Sequence, residues 1–247
     1  MSKFHSTTGK IQRTANNRGF VMYNLSQASR DFIEFASHTS KPSLDMGSAF
    51  GIATHPLLEK RKEVIACDLS QEFLDILRSE TPDELLPYLT TQTGCFPRDF
   101  DFEEDSIGAI LCSHVFHFLT GKEVLSGLGQ FRKWLCKGGK LFLTISTHKH
   151  PLLGDFPNEF QKRKQSMEWP GEMSEKDIEQ FFTMSFKNFV GPDAIPKFCH
   201  AFDEEIMMKA LNATGFEVEQ LHTYTQKVTE ELQQHVGENN FLAVVAH

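Results

Sequence analysis

The chain of 247 residues is 40% hydrophobic and carries a formal net charge of −8. That length suits one domain with a sheet covered on both faces, and the acidic balance argues against a nucleic-acid partner. No apolar run reaches membrane-spanning length, so no membrane partner is expected, and five cysteines without a C-x-x-C spacing point to reduced thiols in a cytoplasmic protein.

Residues 1–24 are polar with scattered aromatics and read as an arm. Asn24 or Ser26 can cap a helix to about Ser37, which completes an N-terminal unit of residues 1–40. Ser43 to Met46 is the first predicted strand, Thr54 to Arg61 the first crossover helix and Val64 to Cys67 the second strand. Ser70 caps a helix through Arg78 that turns Phe73, Leu74 and Leu77 inward. A weakly marked third strand lies within Leu85 to Thr91, and Ile107 to Cys112 is a buried fourth. Lys122 to Cys136 has helical spacing and is expected to end at Gly138-Gly139, before a fifth strand over Lys140 to Ile145.

Residues 148–200 break this alternation and carry many aromatics. Asp203 caps a helix through Ala213. Phe216 to Tyr224 and Asn240 to Ala246 read as strands, with a short helix predicted over Val228 to Val236. Alternating strands and helices make an α/β fold with a parallel sheet and right-handed crossovers.

The chemistry concentrates in the first βαβ unit. Gly47 and Gly51 flank Ser48, Ala49 and Phe50 at the first turn, where glycine lets backbone approach a ligand closely. Asp68, at the tip of the second strand, is placed to accept from two ribose hydroxyls. A dinucleotide site uses G-x-G-x-x-G to seat a pyrophosphate. Here no glycine stands three residues after Gly51, and Asp45 would repel a pyrophosphate. That carboxylate suits a ligand with an ammonium group in its place. S-adenosyl-L-methionine has an adenosine at one end and an amino acid at the other.

The run Asp45-x-Gly47-x-Ala49-x-Gly51, with Asp68 beyond it, resembles the glycine-loop motif of class I S-adenosylmethionine-dependent methyltransferases, with alanine in place of the middle glycine. Asp105 to Leu119 is similar to the segment around that family's fourth strand. Gly138-Gly139 looks like its Leu-x-Pro-Gly-Gly turn, with Lys137 in place of proline. The resemblance implies a doubly wound, mostly parallel seven-stranded sheet whose last strand is antiparallel. It also implies a methyltransferase domain over 41–247, with a helical insertion at 148–200 serving as a lid over the acceptor. The cofactor it implies is S-adenosyl-L-methionine. Asp45, Gly47, Ser48, Ala49, Phe50 and Gly51 would cradle the methionine end. Asp68 would hold the ribose, with Leu69 beside the adenine, and either Phe96 or Asp99 would read that ring.

The acceptor side falls to Ser113 and His114 at the fourth strand tip. His114 and His117 are the candidate bases, because imidazole titrates near neutral pH. Tyr23 is a further candidate for the acceptor wall. The expected acceptor is a small molecule. The rival readings are a nicotinamide-dependent oxidoreductase and a cofactor-binding protein without catalysis.

Overall fold

The computed structural model describes residues 11–13, 20–22, 25–192, 195–226 and 239–247. Tyr23 and the helix expected at Val228 to Val236 lie outside the described residues. In the N-terminal region β1 (Ile11–Arg13) and β2 (Phe20–Met22) pair antiparallel. Ser26 then caps α1 (Gln27–Ala36) by accepting from the Ser29 N–H at 3.0 Å.

Seven strands form one sheet. In chain order the first part is β3 (Ser43–Met46), α2 (Thr54–Glu59), β4 (Val64–Asp68), α3 (Gln71–Glu80) and β5 (Leu89–Thr93). The expected third strand begins later than its apolar residues suggested, because Leu86–Tyr88 coil into a single 3-10 turn around Pro87. Next come β6 (Ile107–Ser113), α4 (Gly121–Trp134) and β7 (Leu135–Ser146). The spatial order places β3 between β4 and β6, so the chain winds outward first to β5 and then the other way to β7. The reversal between β3 and β6 is the switch point where such sheets open a crevice at the carboxyl ends of their strands.

Parallel register decides what meets there. Met46 lies level with Cys67 on one side and Cys112 on the other. The next residue along each strand is therefore Gly47, Asp68 and Ser113, gathered at one edge.

The expectation that Gly138-Gly139 ends a helix is corrected. The helix stops at Trp134, and β7 begins directly at Leu135. Ile107 pairs with Leu135 but Ala109 pairs with Lys140, so residues 136–139 bulge out of the ladder. Gly138 at φ 78° makes that bulge, as an extra loop in a ladder commonly requires.

The insertion after β7 contains α5 (Phe156–Arg163), β8 (Glu172–Ser174), α6 (Glu175–Phe181), α7 (Met184–Val190) and β9 (Phe198–His200). Phe156, Phe160, Met173, Ile178 and Phe182 are buried in the same core as the sheet's inner face. The chain returns through α8 (Glu204–Ala213) to β10 (Val218–Gln226) and β11 (Asn239–Ala246). The last strand inserts antiparallel between β10 and β7. The seven-stranded α/β sheet expected from the sequence is the observed one.

Helix α4 buries Val124, Leu128, Phe131 and Trp134 against the sheet. Its two mid-helix glycines differ. A Cβ at Gly127 would sit 2.5 Å from the Phe96 ring, whereas one at Gly129 meets nothing within 4 Å. Gly129→Ala is expected to raise stability by about 1 kcal/mol, the helix-propensity gain. Gly127→Ala should forfeit that gain to the clash. Thermal denaturation of the pair checks this, and equal shifts would contradict it.

Candidate active site

The turn after β3 carries three left-handed residues in five. Gly47 is at φ 80°, Ala49 at 47° and Gly51 at 78°. Left-handed backbone costs a residue with a Cβ roughly 1–2 kcal/mol, so Ala49 requires compensation. Asp68 supplies it: its Oδ2 accepts the Ala49 N–H at 2.9 Å. Its Oδ1 accepts the Ser70 N–H, also at 2.9 Å. Gly47 and Ser48 both donate to the Cys67 carbonyl, at 2.8 and 3.0 Å. The loop is thus held to the tip of β4 by three backbone N–H groups, those of Gly47, Ser48 and Ala49. A carboxylate has about four lone-pair sites, so Asp68 retains acceptor capacity for hydroxyls.

Asp45 is buried beneath this loop and accepts from Thr54 Oγ1 at 2.7 Å. Burial pushes its carboxyl up to about 7, with the Thr54 hydrogen bond opposing and Asp68 adding repulsion. Burial also raises the Asp68 carboxyl. Two acids with raised pKa values at one ligand loop are in place to meet a cation. Ser48 Oγ is buried there without a hydrogen-bond partner.

These groups open onto a cavity of about 430 Å³, within the range of small-molecule sites. Asp45, Gly47, Ser48, Ala49, Asp68, Leu69, Phe96, Ser113, His114 and His117 all line it. Three other expected cofactor residues do not. Phe50 turns away to pack on Phe73, with ring centroids 4.5 Å apart. Gly51 faces α3, where a Cβ would stand 2.4 Å from Leu77 Cδ1, so its role is close packing and turn geometry. Asp99 accepts the Cys95 N–H at 2.7 Å and closes its own loop. Of the two candidates to read adenine, only Phe96 lines the cavity, one face stacked on Phe131 at 4.7 Å.

His114 adopts φ 59°, an uncommon conformation for a non-glycine residue, while its N–H donates to the Thr144 carbonyl at 2.8 Å. Its ring lies 6.4 Å from that of His117 and 4.7 Å from Phe241. Burial lowers His114 to about 4 and His117 to about 3. Both rings are therefore neutral at pH 7.

Sequence reasoning missed several lining residues. Ser26 and Ser29 reach the cavity from α1, and Ser26 Oγ is 2.8 Å from Thr144 Oγ1 on β7. A helix cap was visible in the sequence, but not what the cap faces. His150 was also missed. It is buried, repels charge on His114 and His117, and meets Phe241 at 5.6 Å. The insertion braces the segment bearing His117 from outside: His200 Nδ1 is 2.8 Å from the Leu119 carbonyl oxygen, and Glu172 accepts the Gly121 N–H at 2.6 Å. Among the described residues, none of those lining the cavity comes from 148–200. A larger, more open groove of about 630 Å³ lies at the amino ends of β6 and β7. It is on the side of the sheet away from the switch-point crevice, and its Lys140 is already paired with Glu219 at 2.7 Å.

Comparison with known proteins agrees with this geometry. Residues 44–143 match the family described as "Methyltransferase domain". A methyltransferase-like protein of Schizosaccharomyces pombe is 28% identical over 120 residues, 46% of this chain and 41% of that protein. The alignment thus spans less than half of that relative's length. A solved S-adenosylmethionine-dependent methyltransferase from Methanosarcina mazei superposes with a TM-score of 0.63 at 13% identity, covering 90% of this chain and 97% of that one. One from Mesorhizobium loti gives 0.62 at 16% identity, covering 89% and 95%. The glycopeptide N-methyltransferase MtfA, solved with S-adenosyl-L-methionine, gives 0.54 at 18% identity, covering 88% and 91%. The family match covers the segment from β3 into β7, and the fold is the one these S-adenosylmethionine-dependent methyltransferases share.

The loop strain gives a direct test. Ala49→Gly is expected to stabilise the protein by about 1 kcal/mol, since glycine adopts the left-handed conformation freely. Gly47→Ala should destabilise it, because the new Cβ would stand 2.4 Å from Val115 Cγ2 at a positive φ. Chemical denaturation of the two variants measures both signs.

Proposed function

We propose that this chain binds S-adenosyl-L-methionine and transfers its methyl group to a small-molecule acceptor. The observation that carries the reading is the acid-flanked left-handed turn at Gly47–Gly51, locked to Asp68. In this reading Asp45 faces the ammonium of the methionine end, and backbone at Gly47, Ser48 and Ala49 surrounds it. Ser48 Oγ, buried without a partner, gains one. The remaining lone pairs of Asp68 take the ribose hydroxyls. Phe96 and Leu69 flank the adenine from an apolar side.

Bound S-adenosylmethionine supplies a methyl group already activated on a sulfonium. The chain's own work is orientation, water exclusion and, where the acceptor carries a proton, its removal. His114 and His117 are the groups proposed for that removal, since both are held neutral and line the cavity. A small acceptor is supported by the volume of the cavity, about 430 Å³, and the acidic balance of the chain. MtfA, a structural relative named for methylating a glycopeptide, fits the same picture. The nicotinamide alternative is disfavoured because a pyrophosphate at the turn would meet Asp45, and because no glycine stands three residues after Gly51.

Calorimetry with S-adenosylhomocysteine tests the reading, with NADH as the control; heat from NADH alone would overturn it. Asp68→Ala is expected to weaken S-adenosylhomocysteine binding by about tenfold or more, the loss of charge-assisted hydrogen bonds. Unchanged affinity would mean the ribose is held elsewhere.

Asp45 makes binding pH-dependent. Its pKa of about 7 lies above the ordinary carboxylate value, so the folded chain keeps a proton that the unfolded chain releases. Asp45 therefore costs stability as pH rises from about 4 through 7. A ligand ammonium reverses the shift and expels that proton. Affinity should rise with pH between about 5 and 7, with about one proton released at pH 6 and almost none at pH 8. Calorimetry in buffers of different ionisation enthalpy counts the protons.

A further inference from the structure

We infer that the acceptor is an uncharged aromatic hydroxyl compound, phenol-like at its reacting end, seated against His114, His117 and Phe118. This rests on the methyltransferase reading above and adds the class of acceptor.

Charge is the first argument. Among the described residues lining the cavity the charged groups are Asp45, Asp68, Glu123 and Arg98. Arg98 donates to Cys95 Sγ at 3.0 Å, on the loop that also carries Phe96. Glu123 accepts the N–H and hydroxyl of Thr120, both at 2.9 Å, as the cap of α4. The methyl side, at Ser113 to Phe118, thus offers no fixed cation to an anionic acceptor. The histidines do not substitute: an anion would have to recruit a proton onto a ring that burial keeps neutral. A cationic acceptor would stand beside the sulfonium with both acids committed elsewhere. An uncharged acceptor remains.

The second argument is shape and surface. The His117 and Phe118 rings lie 4.0 Å apart, and His114 stands edge-on to Phe241. Phe118 lines the cavity yet is 39% exposed, and Leu69 across the mouth is 43% exposed. Large apolar side chains at a rim gain most from a flat apolar body laid against them.

The third is proton chemistry. His117 lines the cavity, and its Nδ1 is buried without a partner. A hydroxyl becomes strongly acidic as its oxygen gains the methyl carbon, so even a weakly basic imidazole can take its proton. A methylated alkylamine stays basic and would give such a ring nothing. As the carbon–oxygen bond forms, the electron pair of the broken carbon–sulfur bond stays on sulfur. The hydroxyl proton passes to a ring nitrogen of His117 or of His114 and then to solvent. The products are an aryl methyl ether, S-adenosylhomocysteine and one proton.

The test uses three single-ring probes that differ in charge: phenol, benzoate and benzylamine. Each is titrated into the full chain saturated with S-adenosylhomocysteine and followed by ligand-observed NMR. Phenol is expected to bind about tenfold more tightly than the other two. His117→Phe keeps a ring and removes an unpartnered nitrogen, so it should fold and hold S-adenosylhomocysteine as before while losing about fivefold in phenol affinity. His114→Asn, which tolerates the left-handed backbone, should act alike. Benzoate or benzylamine binding as well as phenol, no binding by any probe, or phenol binding indifferent to both variants would each overturn the inference. Failure of S-adenosylhomocysteine to bind at the outset would instead overturn the methyltransferase reading beneath it.

Discussion

The bond between Asp68 and the Ala49 N–H organises the ligand end of the molecule. It joins the turn after β3 to the tip of β4 at 2.9 Å. Without it, the left-handed Ala49 would be a strained residue with nothing to hold it. With it, the strain is offset by a hydrogen bond to a charged acceptor, stronger than one between neutral groups. The loop is held in one shape by its own hydrogen bonds, so a ligand that fits it would face no ordering cost there. Glycine at 47 and 51 then serves two distinct ends. Gly47 lets the backbone pass beneath Val115, and Gly51 lets it pass over Leu77.

Electrostatics divides the cavity into two halves. The half beneath the loop holds Asp45 and Asp68, both with raised pKa values. The half at the tip of β6 holds imidazoles that burial keeps neutral. A cation is drawn to the first half and meets no opposing charge in the second. The same burial that makes Asp45 sensitive to an ammonium makes the histidines available as bases, because desolvation disfavours whichever form is charged.

The insertion after β7 shows how local pattern and final position separate. Its aromatic density was legible, because composition is a property of neighbouring residues. That its phenylalanines join the main core, and that His200 and Glu172 brace the segment from Leu119 to Gly121, depends on contacts across 51 to 81 residues of chain. The same limit explains Gly138-Gly139. Two glycines after a helical pattern are a reasonable stop signal, but the pairing of β7 with β6 recruits Leu135 and forces residues 136–139 outward.

The sequence alone determined the order of the strands and helices that build the main sheet, the caps at Ser70 and Asp203, the acid-flanked glycine turn and the carboxylate beyond it. Each is written within a few residues, where backbone preference and side-chain period act directly. The tertiary structure decided which faces those residues present. It turned Phe50 and Gly51 toward α3, closed Asp99 onto its own loop, and brought Ser26, Ser29 and His150 to the site or its margin. Parallel register gathers three strand tips from distant parts of the chain, and that gathering is a property of the sheet, not of any one segment.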